Sequence, residues 1–211
     1  MPIVALLLSA QAHGSLGIAI ALTAAVVIIG IWLRVGARRL ERRLGTLAET
    51  VAGHYTATDA LDLPRRYRRL AIMQQGHDRR ASHLVSGTLD DHPLICFEMR
   101  YDAGFGGKRR TEAWAVAVVE LRDVSLPRVC LANEPLYAHP AFWLDQAAPL
   151  PPESGSLRPL VDASARPCCV ECRGELLAIY TPMAGIKQDF AWLLESAAAV
   201  LRQVAAPNRT S

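Results

Sequence analysis

The sequence predicts an α+β fold in which an N-terminal transmembrane helix and a juxtamembrane helix precede an antiparallel-sheet domain closed by a C-terminal helix. Three observations carry this expectation. No Asp, Glu, Lys or Arg occurs from Met1 to Leu33. Runs between His83 and Tyr180 alternate with the two-residue period of strands. The last apolar pattern, Lys187 to Val204, returns to helical spacing. A chain of 211 residues accommodates one domain plus an anchor, and 51% hydrophobic against 20% charged residues excludes a disordered chain.

The first element is the run LGIAIALTAAVVIIGIWL, Leu16 to Leu33, 18 residues without a charge. At about 1.5 Å per residue it covers most of a roughly 30 Å hydrocarbon core, and a span of about 15–33 completes it. Trp32 falls at interface depth, and Arg34, Arg38, Arg39, Arg42 and Arg43 follow at once. This arginine asymmetry predicts an outward N-terminus and a cytoplasmic C-terminal domain. A cleavable signal is the rival reading, since Ala10-Gln11-Ala12 has the small-x-small form behind Ile3 to Leu8. The missing basic n-region and the longer apolar stretch downstream disfavour it.

Residues 34–80 form a basic region with 11 basic and 5 acidic residues, whereas 81–211 hold 12 and 15. Within the basic region Leu40, Leu44, Leu47 and Val51 fall on one helical face. Tyr55 to Arg66 reads as a connection, with a short helical piece over Tyr67 to Met73. Arg65, Arg66, Arg68 and Arg69 complete the set of membrane-proximal basic residues, placed where anionic lipids attract them. Only Tyr67 is interleaved among them, and no recognition motif accompanies them, so nucleic acid is not an expected partner. Only Lys108 and Lys187 among the 23 basic residues are lysine, which with abundant alanine points to a bacterial genome rich in GC and to a bacterial inner membrane.

The α+β domain is expected over 81–204, with a tail at 205–211. HPLICFEMRY is a strand with Ile95, Phe97, Met99 and Tyr101 on the buried face and Leu94, Cys96, Glu98 and Arg100 on the other. TEAWAVAVVEL is its hairpin partner across the glycine-rich 102–110. Further strands are expected at Arg128 to Ala132 and on both sides of Arg173-Gly174, and a short helix at Phe142 to Ala147. The helix Lys187 to Val204 presents Phe190, Leu193, Leu194, Ala197, Leu201 and Val204 as a stripe.

No motif carries a defensible chemistry, so no catalytic residue, cofactor or metal site is expected. Cys168, Cys169 and Cys172 contain one C-x-x-C, half of a zinc set. On a strand, Cys169 and Cys172 face opposite sides, whereas Cys168 and Cys172 share one as small hydrophobes. Gly104 to Lys108 lacks the glycine spacing and the Ser or Thr of a P-loop, and it joins strands. Asp90-Asp91 is turn chemistry first. The six histidines show no ligand spacing, and Trp114, Trp143 and Trp192 sit in apolar patterns that read as core.

The order of a spanning helix with an arginine-rich exit, FEMRY, GFGGKRR, AWAVAVVEL, LPRVCLANEPL and RGELLAIY before a closing helix resembles uncharacterised bacterial single-pass membrane-anchored proteins, over about 83–136 and 168–204. That resemblance implies an anchored domain and carries over no activity. The expectation is therefore a membrane-tethered, non-catalytic binding or scaffold module, with the lipid bilayer and a protein as partners and the oligomeric state left open. Two alternatives stand beside it. One is an enzyme with a dispersed site drawn from Glu98, Arg100, Asp102 and His139. The other is a structural subunit of a membrane complex, packed through Gly17, Ala19, Ala21, Ala24, Ala25 and Gly30.

Overall fold

The computed structural model describes residues 2–104, 106, 109–122, 124, 126–132 and 157–204, with side chains from residue 22 onward and that of 127 excepted. The expected helix at Phe142 to Ala147, the expected core residue Trp143, His139 and the tail lie outside the described residues. The chain forms two compact units, Met1–Arg42 and Arg43–Ser211.

Helix α1 runs Pro2–Glu49 without interruption, so the spanning and juxtamembrane helices expected separately are one element. No proline falls between residues 3 and 63, and single glycines such as Gly30 and Gly36 cost only about 1 kcal/mol each. In the first unit Leu22, Val26, Val27, Ile28, Ile29, Ile31, Trp32 and Leu33 are all more than half exposed. Among the described residues no helix is long and apolar enough to cross a membrane, so the span is not established by the structure. Of the predicted span, residues 22–33 carry described side chains. These 12 uncharged residues cover about 18 Å at 1.5 Å each.

The second unit is built on seven antiparallel strands: β1 His54–Thr58, β2 His77–Leu89, β3 His92–Ala103, β4 Arg110–Glu120, β5 Leu126–Ala132, β6 Cys169–Gly174 and β7 Leu176–Pro182. Their order in the sheet is β1-β2-β3-β4-β7-β6-β5. Short helical pieces α2 (Leu63–Arg66), a 3-10 turn (Ala71–Gln74) and α3 (Arg158–Asp162) join them, and α4 (Ile186–Val204) closes the chain. The α+β expectation holds, as do the β3–β4 hairpin, with Met99 opposite Trp114 and Phe97 opposite Val116, and the β6–β7 turn, where Gly174 takes φ +62°. Asp90 and Asp91 link β2 to β3 with φ of +48° and +66°, the tight hairpin turn in which both central residues are left-handed.

Two expectations are corrected. Tyr55 to Arg66 is not a mere connection, because β1 pairs there with β2, placing Thr56 opposite Leu84. Its sequence HYTAT carries no apolar alternation, and its residues are almost all exposed, as suits an edge strand held by backbone pairing. Nor does β3 have only one buried face. Ile95, Phe97, Met99 and Tyr101 join Trp114, Val116, Val118 and Tyr180 in a core roofed by Leu63, Tyr67, Leu70, Ile72 and Met73. Leu94, Cys96 and Glu98 on the other face are buried as well. Helix α4 packs over β3, β4 and β7, burying Phe190, Leu193, Leu194, Ala197 and Leu201 of the predicted stripe, whereas Val204 is only half-buried. A central strand sandwiched between two layers has no solvent face.

Candidate functional site

A basic cleft of about 820 Å³ opens in the second unit. Its first wall is the segment that carries Arg65, Arg66, Arg68 and Arg69; its second is the β6–β7 turn with Arg173, Gly174 and Glu175; Glu120 at the end of β4 lies between them. The local sequence dictates the first wall. In LPRRYRRL, Leu63, Tyr67 and Leu70 are buried into the core, which turns the four arginines outward as a set.

The cleft is braced at its floor. Tyr67 is 4% exposed and donates its hydroxyl to Glu120 Oε1 at 2.7 Å, while the Arg66 guanidinium meets the same oxygen at 2.8 Å and lies 5.4 Å from the Tyr67 ring centroid. Burial and the bond to Glu120 push the Tyr67 hydroxyl well above the usual phenol range. Arg173 donates to the Arg69 carbonyl, tying the two walls together. Among the described residues Arg65, Arg68 and Arg69 form no ion pair and remain exposed. The structure thus gathers four of the nine predicted basic residues into one recess. Arg34, Arg38, Arg39 and Arg42 belong to the helical first unit, and Arg43 is exposed where the second begins.

Of the residues proposed for a dispersed active site, Glu98, Arg100 and Asp102 are engaged in structural pairs. Glu98 is fully buried and paired with Arg100, with Ser82 Oγ 3.5 Å and His83 Nε2 3.8 Å away. Asp102 accepts from Arg109 and, at 2.8 Å, from Thr111 Oγ1, and these bonds hold its carboxyl below the usual range. Asp102, Asp78 and His77 bring ligand atoms within 4.8 Å of one another. The Arg109 guanidinium reaches both carboxylates, at 2.8 Å from Asp78, and supplies the positive charge such a group would otherwise seek.

All five thiols are buried, Cys96 included, which the one-faced reading of β3 left on the open side. Cys169 faces the core beside Cys130, with Sγ atoms 3.1 Å apart, whereas Cys168 and Val170 line an apolar cavity of about 140 Å³ against Trp192 and Val200 of α4. Trp192 is only half-buried, with the Arg166 guanidinium 5.8 Å from its ring centroid, so it is not the core residue its pattern suggested. Sequence reasoning missed the Cys130–Cys169 neighbourhood, because 39 residues separate the two. Next to it Glu171, 2% exposed, accepts the Ala71 amide on both oxygens at 2.8 and 3.1 Å, and the Tyr180 hydroxyl lies 3.5 Å from Oε2. Burial raises the Cys96, Cys168 and Cys169 thiols above their ordinary value and pushes Cys172 up to about 12. All five cysteines should therefore resist a water-soluble maleimide at pH 7.5 in the native chain and react together after denaturation. Two or more thiols labelled at the native rate of free cysteine would show that this face opens.

No known family matches the sequence, and no curated protein matches it. Among solved structures, the mycobacterial trehalose monomycolate transport factor A, TtfA, is similar at TM-score 0.48 and 12% identity, over 79% of this chain and 97% of that one.

Proposed function

We propose that the protein is a membrane-tethered, non-catalytic binding module: the first unit is its anchor in a bacterial inner membrane and the second is the ligand-receiving domain on the cytoplasmic side. The observation that carries the reading is the character of the helix in the first unit. Its apolar side chains from Leu22 to Leu33 are exposed on every face, and no charge occurs before Arg34. A helix in water shows one apolar stripe; one apolar all round is at home among lipid tails. Insertion through 15–33 would place 19 uncharged residues in the bilayer, about 28 Å at 1.5 Å each, and the arginines after it supply the retained cytoplasmic flank.

Alkaline carbonate extraction of membranes from expressing cells tests the anchor. The native chain should stay in the pellet. The double variant Ala25→Arg/Ile28→Arg should move to the supernatant, since each arginine near the centre of a span costs about 2.5–3.5 kcal/mol. Release of the native chain would sink the anchor. Orientation is read with Gln203→Cys, which adds one exposed thiol on α4 to the five buried ones. An impermeant reagent should label it only after permeabilisation, and labelling in intact cells would reverse the topology.

A further inference from the structure

We propose that the arginine cleft is a binding site for a compact phosphate-bearing anion, whether the phosphodiester of an anionic lipid headgroup or a soluble phosphate compound. This rests on the reading of the chain as a binding module and names the class of ligand it takes.

Five arginines and two glutamates line the cleft, and one glutamate, Glu120, is already held by Arg66 and Tyr67. The charge left over sits on Arg65, Arg68, Arg69 and Arg173 against Glu175 alone, and Arg65, Arg68 and Arg69 form no ion pair among the described residues. Like charges held this close repel one another, and an anion placed between them relieves the repulsion. The recess, about 820 Å³, is of a size that takes a small ligand rather than a single ion.

The chemistry of the lining selects phosphate. Every cation in it is an arginine, whose planar fork matches two phosphate oxygens at once, whereas a lysine offers a point charge. A single-stranded nucleic acid would need aromatic faces on which to stack its bases. The cleft's one aromatic, Tyr67, has its ring buried and its hydroxyl committed to Glu120. An extended acidic peptide would lay several carboxylates along a lining that includes Glu175; a compact phosphate needs to meet only Arg65, Arg68 and Arg69. Arg173 serves as a positioning residue. By donating to the Arg69 carbonyl it fixes the arginine segment against the β6–β7 turn and holds the two walls at a set separation.

Isothermal titration of the full chain in neutral-detergent micelles tests the assignment, with three probes: inorganic pyrophosphate, water-soluble dihexanoyl phosphatidylglycerol and, as the zwitterionic control, dihexanoyl phosphatidylcholine. The native chain should bind at least one anionic probe at least tenfold tighter than phosphatidylcholine. Preference for phosphatidylglycerol identifies a lipid source, and preference for pyrophosphate a soluble one; either supports the site. Arg68→Glu/Arg69→Glu should weaken that binding at least tenfold. Lys187→Glu/Arg202→Glu, which makes the same change in net charge at exposed positions of α4 outside the cleft, should change it less than twofold.

Equal losses in the two variants would reduce the effect to overall charge and overturn the site, and so would silence toward both anionic probes. Tighter binding of a poly-glutamate peptide than of either phosphate would reassign the cleft to a protein partner and overturn it as well. The Arg68→Gln/Arg69→Gln variant, checked to melt within a few degrees of the native chain, guards against misfolding and should still weaken binding severalfold. The carbonate experiment keeps the two ideas apart. Release from membranes with the cleft still binding would remove the anchor alone, and retention with a silent cleft would remove the phosphate site alone.

Discussion

Asp189→Ala is expected to destabilise the second unit by about 3–5 kcal/mol, the range for removing one member of a buried, hydrogen-bonded charge pair. Asp189 is wholly buried in the first turn of α4. One carboxylate oxygen accepts Arg166 Nη1 at 2.7 Å, and the other accepts the backbone amides of Ala184 and Gly185 at 2.8 and 2.6 Å. Those amides belong to the turn that starts the helix, so a single side chain caps α4, offsets its positive end and ties it to the segment before β6. Alanine strands two amides and takes the carboxylate from the Arg166 guanidinium, which is one-third exposed and recovers part of its loss from water. Asp189→Asn keeps an acceptor of the same shape and should cost less, about 1–3 kcal/mol. Urea unfolding of the full chain in micelles, followed by tryptophan emission, reads the difference as a lower midpoint at an unchanged slope. An alanine variant as stable as the native chain would mean that the capping contacts carry no weight.

Asp189 also illustrates what a sequence hides. The stripe from Phe190 to Leu201 was legible because burial repeats at 3.6 residues, yet an aspartate beside that stripe reads as a solvent-facing residue. Glu98 is the same case on β3: alternation assigned it to an open face, and the structure buries it against Arg100. A charged side chain can be buried when its partner comes with it, and the partner's position is not periodic. Strand β1 escaped for the opposite reason. HYTAT has no apolar face to detect, and only its backbone pairing with β2 makes it a strand.

The cleft was half visible. Arg65, Arg66, Arg68 and Arg69 stood out as a cluster, and the buried Leu63, Tyr67 and Leu70 between them explain why all four emerge on one side. Arg173 lies 104 residues from the carbonyl it grips, and its neighbour Gly174 drew attention only as a turn. Membrane proximity and net charge were readable along the chain; the convergence of two walls is a property of the sheet order, which sets the β6–β7 turn opposite the segment leading from α2 to the 3-10 turn.

A methyl group at position 53 should cost about 3 kcal/mol, at the upper end of overpacking losses, because the atoms it meets are backbone and cannot rotate away. A Cβ on Gly53 would overlap the Ser86 carbonyl oxygen and stand 2.7 Å from the Cα of Gly87, and a Cβ on Gly87 would overlap the Val51 carbonyl. The two glycines face each other where the chain leaving α1 crosses β2, and the crossing is pinned by the Thr88 amide donating to Val51 O at 2.8 Å. Gly53→Ala and Gly87→Ala should each lower the urea midpoint sharply, and the double variant should lose less than the combined single losses, since both wedge open one crossing. The left-handed residue that ends α1 is not a glycine but Ala52, at φ +50°. Its replacement by glycine relieves that conformation and should raise stability by about 0.5–1 kcal/mol, in spite of the greater freedom glycine has when unfolded. A glycine next to a helix end is ordinarily read as its cap; here it stands one position late because the crossing requires it. A neutral Gly53→Ala together with a destabilising Ala52→Gly would reverse that assignment.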